Sequence, residues 1–412
     1  MDTVKKIWNN DFIFNIVSKV LLVLVGLVAS SFLTRYLSIE LRGEYSYVCE
    51  VALIASLIIC FGIEQSYSYF YKKNEGNIFK RFVNIYSLQF LILIVIAIPL
   101  LFLFEIESSI FLICLLVPFD VLNKQLAGCM SVENIRLKII VEFIGSVAKA
   151  VLFVVLFLFR TTIGTYVFFI VLSLISIYFF QFLVYLIYCR TMPNPFNIDF
   201  CLLKEILKFS WIPMLSGLML LLNYSLDIVF LKHICPSEEL SYYSVAVGII
   251  NYVWLIPDAI KEVLISRVAR ENNSARIIKA LKYSLIITVA IIILFIFLGK
   301  LAIIIMYGEE FLPAYLVTIV LSIGALSMVL FKVLNVSFLA EGKRIFYFII
   351  LSISVVMNIV LNLITIPVYG MYGAAVSSIV SYSICGVTFL IKFIRDKQIS
   401  FKDFLGIKSK GE

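Results

Sequence analysis

Apolar stretches of roughly 20 residues follow one another along this chain almost without a break. At 1.5 Å of rise per residue, such a stretch crosses a hydrocarbon core about 30 Å thick as a helix. The pattern predicts twelve spans, near residues 13–34, 46–69, 83–104, 109–129, 138–159, 164–188, 209–231, 242–265, 284–305, 315–338, 346–368 and 371–391. The polar segments between them are too short to hold a soluble domain, and function has to be sought inside the membrane.

The polar segments also repeat. Glu40-Leu41-Arg42-Gly43-Glu44-Tyr45-Ser46 and Glu238-Glu239-Leu240-Ser241-Tyr242-Tyr243-Ser244 lie 198 positions apart, each after the first span of a six-span half. Glu133-Asn134-Ile135-Arg136, before span five, likewise matches Glu341-Gly342-Lys343-Arg344, before span eleven. The longest polar break near the middle, residues 190–208, contains Pro193-Asn194-Pro195, which cannot continue a helix. The expected fold is therefore an all-α polytopic membrane protein of twelve transmembrane helices. Two six-helix lobes, 1–189 and 209–394, flank a cytoplasmic linker at 190–208, and a basic tail runs over 395–412. An even number of spans per half makes the repeats parallel, related by an axis along the membrane normal.

Composition agrees: 62% of the 412 residues are hydrophobic and 15% charged, against about 45–50% and about 25% in soluble domains. The net charge of +8 reflects topology rather than nucleic-acid binding. Only Arg35, Arg42, Arg160 and Lys232 fall in the odd-numbered loops, and Lys19, Lys124, Lys149, Lys300 and Lys332 fall within spans. The rest of the 34 Lys and Arg lie on the side that holds both termini, which the positive-inside rule makes cytoplasmic. The first apolar segment is too long for the core of a cleavable signal. The eight cysteines show no C-x-x-C spacing and read as small buried apolar residues, so no metal is expected. Residues 266–282 and 395–410 mix basic and apolar side chains, as solvated loops or as segments lying on the anionic inner leaflet.

Leu33-Thr34-Arg35-Tyr36-Leu37 followed by Arg42-Gly43-Glu44-Tyr45-Ser46 resembles the pattern after helix one in polysaccharide-export flippases, with Ser38 where that family usually has glycine. Tyr242-Tyr243-Ser244-Val245-Ala246 is similar to the second-half counterpart, Ser241 replacing its glycine. Tyr307-Gly308-Glu309-Glu310-Phe311 and the stretch 358–375, with Ile366-Pro367-x-Tyr369-Gly370-x-x-Gly373-Ala374-Ala375, look like the C-terminal signatures. In order and spacing these resemble the Wzx-type O-antigen or capsule repeat-unit flippases of the multidrug/oligosaccharidyl-lipid/polysaccharide exporter superfamily. The resemblance implies an oligosaccharide on undecaprenyl diphosphate as substrate, turned from the inner to the outer leaflet of a bacterial cytoplasmic membrane. Membrane lipids, a polysaccharide polymerase and a chain-length regulator are the implied partners.

Such a substrate needs a polar shelter for sugars and cations for the diphosphate, and ionisable residues within spans are the candidates. Asp120 and Lys149 sit near the middles of spans four and five; Lys124 is four residues from Asp120 and shares its helix face. Lys19 and Lys332 stand about two turns from the cytoplasmic boundary, and Lys300 near the outer edge. In one reading Lys149, Lys124, Lys19 and Lys332 line an inward-facing vestibule beside Asp120. In the other, Lys124 pairs with Asp120, Lys149 with Glu142 or Asp120, and the remaining lysines snorkel.

Asn223 and Asp227 are four apart on span seven, which Pro213 can bend, and could bind a coupling Na⁺ or H⁺ or a sugar hydroxyl, with Glu142 a further candidate for ion coupling. The alternative is an interhelical hydrogen bond. Glu64 and Glu262 occupy equivalent places in the repeats, with Asp258 one turn before Glu262; they read as gating groups or as local partners of Lys and Arg. Gly373, Ser377, Ser381 and Cys385 form a small-residue stripe suited to helix packing.

No G-x-x-x-x-G-K-[ST] phosphate loop, H-E-x-x-H or Ser/His constellation occurs, so neither ATP hydrolysis nor another catalytic activity is expected, and no cofactor. Two rivals remain. A cation-coupled multidrug exporter of the same superfamily would favour a carboxylate-lined cavity. An O-antigen polymerase would carry a large outside loop, which this sequence lacks.

Overall fold

The computed structural model describes residues 11–73, 77–268 and 274–398, and all the regular structure among them is helical. The first half comprises α1 (Asp11–Tyr36), α2 (Ile39–Cys60), α3 (Ile63–Lys73), α4 (Ile78–Leu101), α5 (Ser109–Glu133), α6 (Ile135–Leu158), the single turn α7 (Arg160–Ile163) and α8 (Val167–Tyr188). There follow α9 (Phe200–Ile234), α10 (Ser237–Val268), α11 (Ser274–Tyr307), a 3₁₀ turn (Glu309–Phe311), α12 (Pro313–Ala340) and α13 (Arg344–Asp396).

Eleven helical stretches are long and apolar enough to span a membrane, α2 and α3 counting as one. The 53-residue α13 supplies two of the twelve predicted spans, because Gly370 leaves helical geometry at φ 54°, ψ −133°. Past Gly370 the chain reverses. The Thr365 hydroxyl donates to the Gly373 carbonyl at 2.9 Å, and the Ser354 hydroxyl donates to the Ser381 carbonyl at 2.7 Å. This hairpin closes along the predicted small-residue stripe, all four members of which are buried. Lipid supplies no hydrophobic drive between helices, so close backbone approach through small residues holds them instead. Glu239 completes the turn by accepting from the Met371 amide at 2.8 Å, at the start of the last helix.

Span two begins earlier than predicted. Ser38 caps α2 by accepting from the Leu41 amide, so the helix starts at Ile39 and carries the repeated loop motif inside it. It breaks at Phe61 (φ 52°) and Gly62 (φ 67°), then resumes as α3. A Cβ on Gly62 would lie 2.7 Å from the Ser210 carbonyl oxygen, so glycine lets the break pack directly on α9.

The chain divides into two compact units at Leu218/Met219, within α9. The expected linker is helical from Phe200, and it is tied to the first unit. Asn84 donates to the Asn197 carbonyl at 2.8 Å, Lys73 pairs with Glu205 at 3.3 Å, and Leu202 and Ile206 join a buried cluster with Tyr67, Phe70 and Phe82. Burial of those two side chains fixes this segment to the first unit.

Within the first unit α1 packs on α6, α2 on α5, and α4 on α5. The second unit repeats the scheme, with α9 hydrogen-bonded to the first half of α13 while α10 and α11 pack on α12. Tyr45 and Tyr243, equivalent in the repeat, are both buried. Two six-helix lobes related by an internal repeat are thus present. Of the basic segments, 269–273 and 399–412 lie outside the described residues.

Candidate functional site

In the first lobe the charges within the spans sort into pairs and remainders. Lys124 meets Asp120 at 2.7 Å one turn away on α5, and Lys138 meets Glu142 at 3.6 Å one turn away on α6. Neither acid is therefore given to Lys149. That lysine is half-buried near the middle of α6, its ammonium 5.6 Å from the centroid of the Phe153 ring, with Cys49 and Arg42 as its electrostatic neighbours. Among the described residues no carboxylate pairs with it.

Arg42 was missed as a site residue, because the pattern put it in an exposed loop. Once Ser38 starts the helix, Arg42 lies inside α2 and is 8% exposed. Its Nε donates to the Thr34 hydroxyl at 3.2 Å, its Nη1 to Ser46, and its guanidinium sits 5.5 Å from the Tyr45 ring centroid. Its partners too are neutral. The discoverable signal was the repeated motif itself. Lys19, on α1, is half-buried.

Glu64 opens α3 directly after the Phe61–Gly62 break. Gln65 donates to its Oε1 at 3.4 Å, while Oε2 is buried with no hydrogen-bond partner among the described residues. Gly128 brings α5 against it, where a Cβ would stand 2.6 Å from that of Glu64. The broken helix is stitched by Gln89, which donates to the Ile59 carbonyl at 2.5 Å and accepts from Gln125 at 2.7 Å. Lys124, on α5, is an electrostatic neighbour of Glu64.

In the second lobe Asp227 is 1% exposed and accepts from four donors. These are the Tyr243 hydroxyl at 2.5 Å, Asn362 Nδ2 at 2.6 Å, Asn358 Nδ2 at 3.0 Å, and the Ser378 hydroxyl. Asn223 donates instead to Ser354 at 2.8 Å. Among the described residues, the Oδ1 atoms of Asn223 and Asn362 are buried without a hydrogen-bond partner, and no Lys or Arg pairs with Asp227. A carboxylate with nearby amide and hydroxyl oxygens is the donor set of a hard cation, and a carboxylate also takes a proton. Sequence spacing found Asn223 and Asp227; Asn358, Asn362, Tyr243 and Ser378 come from other helices and needed the fold.

Lys332 and Asp258 meet each other. The ammonium donates to both carboxylate oxygens, at 2.9 and 2.8 Å, across α12 and α10. Glu262 lies on α10, but its side chain is outside the described residues.

The fold is shared with solved transporters at low identity. A structure of the lipid II flippase MurJ in an inward closed conformation superposes with a TM-score of 0.76 at 16% identity, covering 94% of this chain and 88% of that one. An inward-facing multidrug resistance MATE family transporter of the MOP superfamily gives 0.69 at 13%, covering 92% and 96%. A MOP superfamily transporter from Pyrococcus furiosus, described as having a binding pocket of reverse polarity, gives 0.62 at 14%, covering 93% of each chain. No curated protein matches the sequence. The family model described as "Polysaccharide biosynthesis protein" matches residues 9–256. With that match over more than half its length, the chain belongs to the polysaccharide biosynthesis protein family, and its fold is that of the MOP-superfamily transporters.

Proposed function

We propose that this protein is a flippase for undecaprenyl-diphosphate-linked oligosaccharide repeat units. It would move them from the inner to the outer leaflet of a bacterial cytoplasmic membrane by alternating access of its two lobes, with both termini cytoplasmic. The observation that carries this reading is the pair of cations in the first lobe, Arg42 and Lys149, for which the described residues supply hydroxyls and aromatic rings but no carboxylate. Unneutralised cations at buried positions are costly, and an anionic ligand is what repays such an arrangement. Family membership and the likeness to a lipid II flippase support the same class of cargo. Lys124 and Asp120 would serve as a neutral polar pair beside it, and Glu64, at the α2–α3 break, as a gating group.

Two negative charges moving outward are helped by an inside-negative potential, by about 2.3 kcal/mol per charge per 100 mV. Antiport could add to this at Asp227, where Na⁺ would be held by the carboxylate with the free Asn223 and Asn362 oxygens, or a proton by the carboxylate alone. A polysaccharide polymerase and chain-length regulator would receive the product. The multidrug-exporter alternative draws on the MATE likeness; against it stands the neutralisation of Asp120 and Glu142 by lysines of their own helices.

Reconstitution tests the proposal. In liposomes containing labelled undecaprenyl diphosphate oligosaccharide, wild type is expected to deliver label to the opposite leaflet. Lys149→Ala and Arg42→Gln are each expected to slow delivery roughly 10- to 100-fold, the worth of one hydrogen bond to a charged group. Absence of transport by wild type, under a potential and under Na⁺ and H⁺ gradients, would remove the flippase reading in favour of drug export.

A further inference from the structure

The Lys332–Asp258 pair is neutral as a unit, so it does not act as a lone cation for a diphosphate. Its surroundings suit another task. The Lys332 ammonium stands 4.8 Å from the Trp254 ring centroid and 5.7 Å from that of Tyr224. Those two rings lie 5.2 Å apart, and Tyr382 closes the group at 5.9 Å from Tyr224 and 5.8 Å from Trp254. Trp254 is locked by donating its indole N–H to the Ala325 carbonyl at 3.2 Å, and it shares a face of α10 with Asp258 one turn on.

The pair is exposed unevenly. The Lys332 side chain is 10% exposed, but that of Asp258 is 40% exposed. A charged oxygen left open within a span turns to a water-lined passage, not to hydrocarbon. Tyr224, on α9, is also partly exposed, whereas Trp254 behind it is buried. The partly exposed Tyr224 and one half-open carboxylate, its charge balanced by Lys332, therefore lie side by side. An aromatic ring offers a flat apolar body against which the C–H face of a pyranose can lie, and a carboxylate accepts from two neighbouring hydroxyls. Few convergent polar groups over an aromatic wall is also the general make-up of small-molecule sites. A bare ion pair stapling α10 to α12 would need neither the open carboxylate nor the three rings.

We infer that Tyr224, Asp258, Lys332 and Trp254 form a carbohydrate subsite in the second lobe that grips a sugar of the lipid-linked oligosaccharide. This rests on the flippase reading and adds to it the place where the glycan, as distinct from the diphosphate, is recognised. Tyr224 stacks on the ring, Asp258 accepts from its hydroxyls, and Lys332 and Trp254 are positioning residues that hold the carboxylate and the platform.

A Trp8→Phe/Trp211→Phe variant leaves Trp254 as the sole tryptophan, and its emission reports on the subsite. Purified in detergent, it is titrated with the oligosaccharide-bearing lipid and, separately, with undecaprenyl diphosphate lacking sugar. Emission is expected to change with the glycolipid alone. Tyr224→Leu is expected to raise the concentration of half-effect about tenfold, the loss of roughly 1.4 kcal/mol, and Tyr224→Phe, which keeps the ring, to stay within about twofold. An equal change with both lipids overturns the subsite, since the diphosphate then accounts for it. So does no change with a glycolipid that the same preparation flips in liposomes, or a Tyr224→Leu titration matching Tyr224→Phe; each leaves the flippase reading standing. A preparation that flips neither lipid overturns both.

Discussion

Lys149 and Asp227 are ionisable groups at equal risk within an apolar span, and their lobes treat them in opposite ways. Asp227 is wrapped by four donors from α10 and α13, which replace the water it lost. Lys149 receives an aromatic ring and a second cation, Arg42, as neighbours, and among the described residues no carboxylate takes its charge. If Asp227 takes a coupling Na⁺, NaCl should raise the unfolding midpoint of wild type relative to choline chloride. At a salt concentration 100 times the dissociation constant the gain is about 2.7 kcal/mol, and Asp227→Asn should lack it. A midpoint indifferent to Na⁺ and to pH in wild type would make the cluster a structural knot only. The sequence exposed these residues by their cost, since an ion in an apolar run is conspicuous. The i,i+4 spacing offered Lys124 for Asp120, but it could not show that Glu142 is taken by Lys138 rather than by Lys149 of the same helix. Arg42 was hidden by one capping serine: moving a helix start from residue 46 to Ile39 carries a loop arginine into the protein.

At the scale of elements, hydropathy located the spans because a helix must match the bilayer, although α2, α9 and α11 begin seven to ten residues before the predicted spans. Breaks inside spans were less legible. Gly370 and Gly62 both hold left-handed backbone, and at both a neighbouring group fills the space a side chain would need. Gly370→Ala meets two penalties, strained backbone and a Cβ placed 2.9 Å from the Glu239 carboxyl carbon. It should cost about 1–3 kcal/mol, read as a lowered thermal midpoint; an unchanged midpoint would show that the hairpin turns elsewhere. The open end of this helical hairpin is held by charge. Asp396 and Glu341 meet Lys343 at 2.6 and 2.7 Å, and they hold its ammonium above the ordinary lysine range. A raised value means a contribution fully present below the ordinary lysine pKa and lost as pH rises through the raised one. The wild-type advantage over Lys343→Ala should therefore be flat from pH 6 to about 9 and vanish in strong alkali. Being partly exposed, it should amount to only about 0.5 kcal/mol. An advantage that grows with pH would contradict the sign.

At the scale of the whole molecule, the two lobes use one packing scheme on sequences that have diverged almost everywhere but in a few loop positions. Each lobe's sixth span starts beneath a side chain from the junction of its first two spans: Tyr36, ending α1, accepts from the Tyr166 amide at 3.2 Å, and Glu239, in the first turn of α10, from that of Met371. The distribution of Lys and Arg predicts one orientation for all twelve spans. In intact cells, with the native cysteines replaced, an impermeant maleimide should label Glu107→Cys and Thr162→Cys and spare Met192→Cys; the reverse pattern would invert the topology and the direction of transport. Span number, the repeat, the expected orientation and the family resemblance were all determined by the sequence alone. They depend on local apolarity, charge bias and short motifs, each legible within a few dozen residues. Only the tertiary structure decided which face of each helix turns inward, and with it the Asp227 cluster, the Lys332–Asp258 pair and the burial of Arg42. The reason is physical. Helices apolar on nearly every side carry no periodic stripe to mark their inner face, so partners three helices away are chosen by packing, which no single segment encodes.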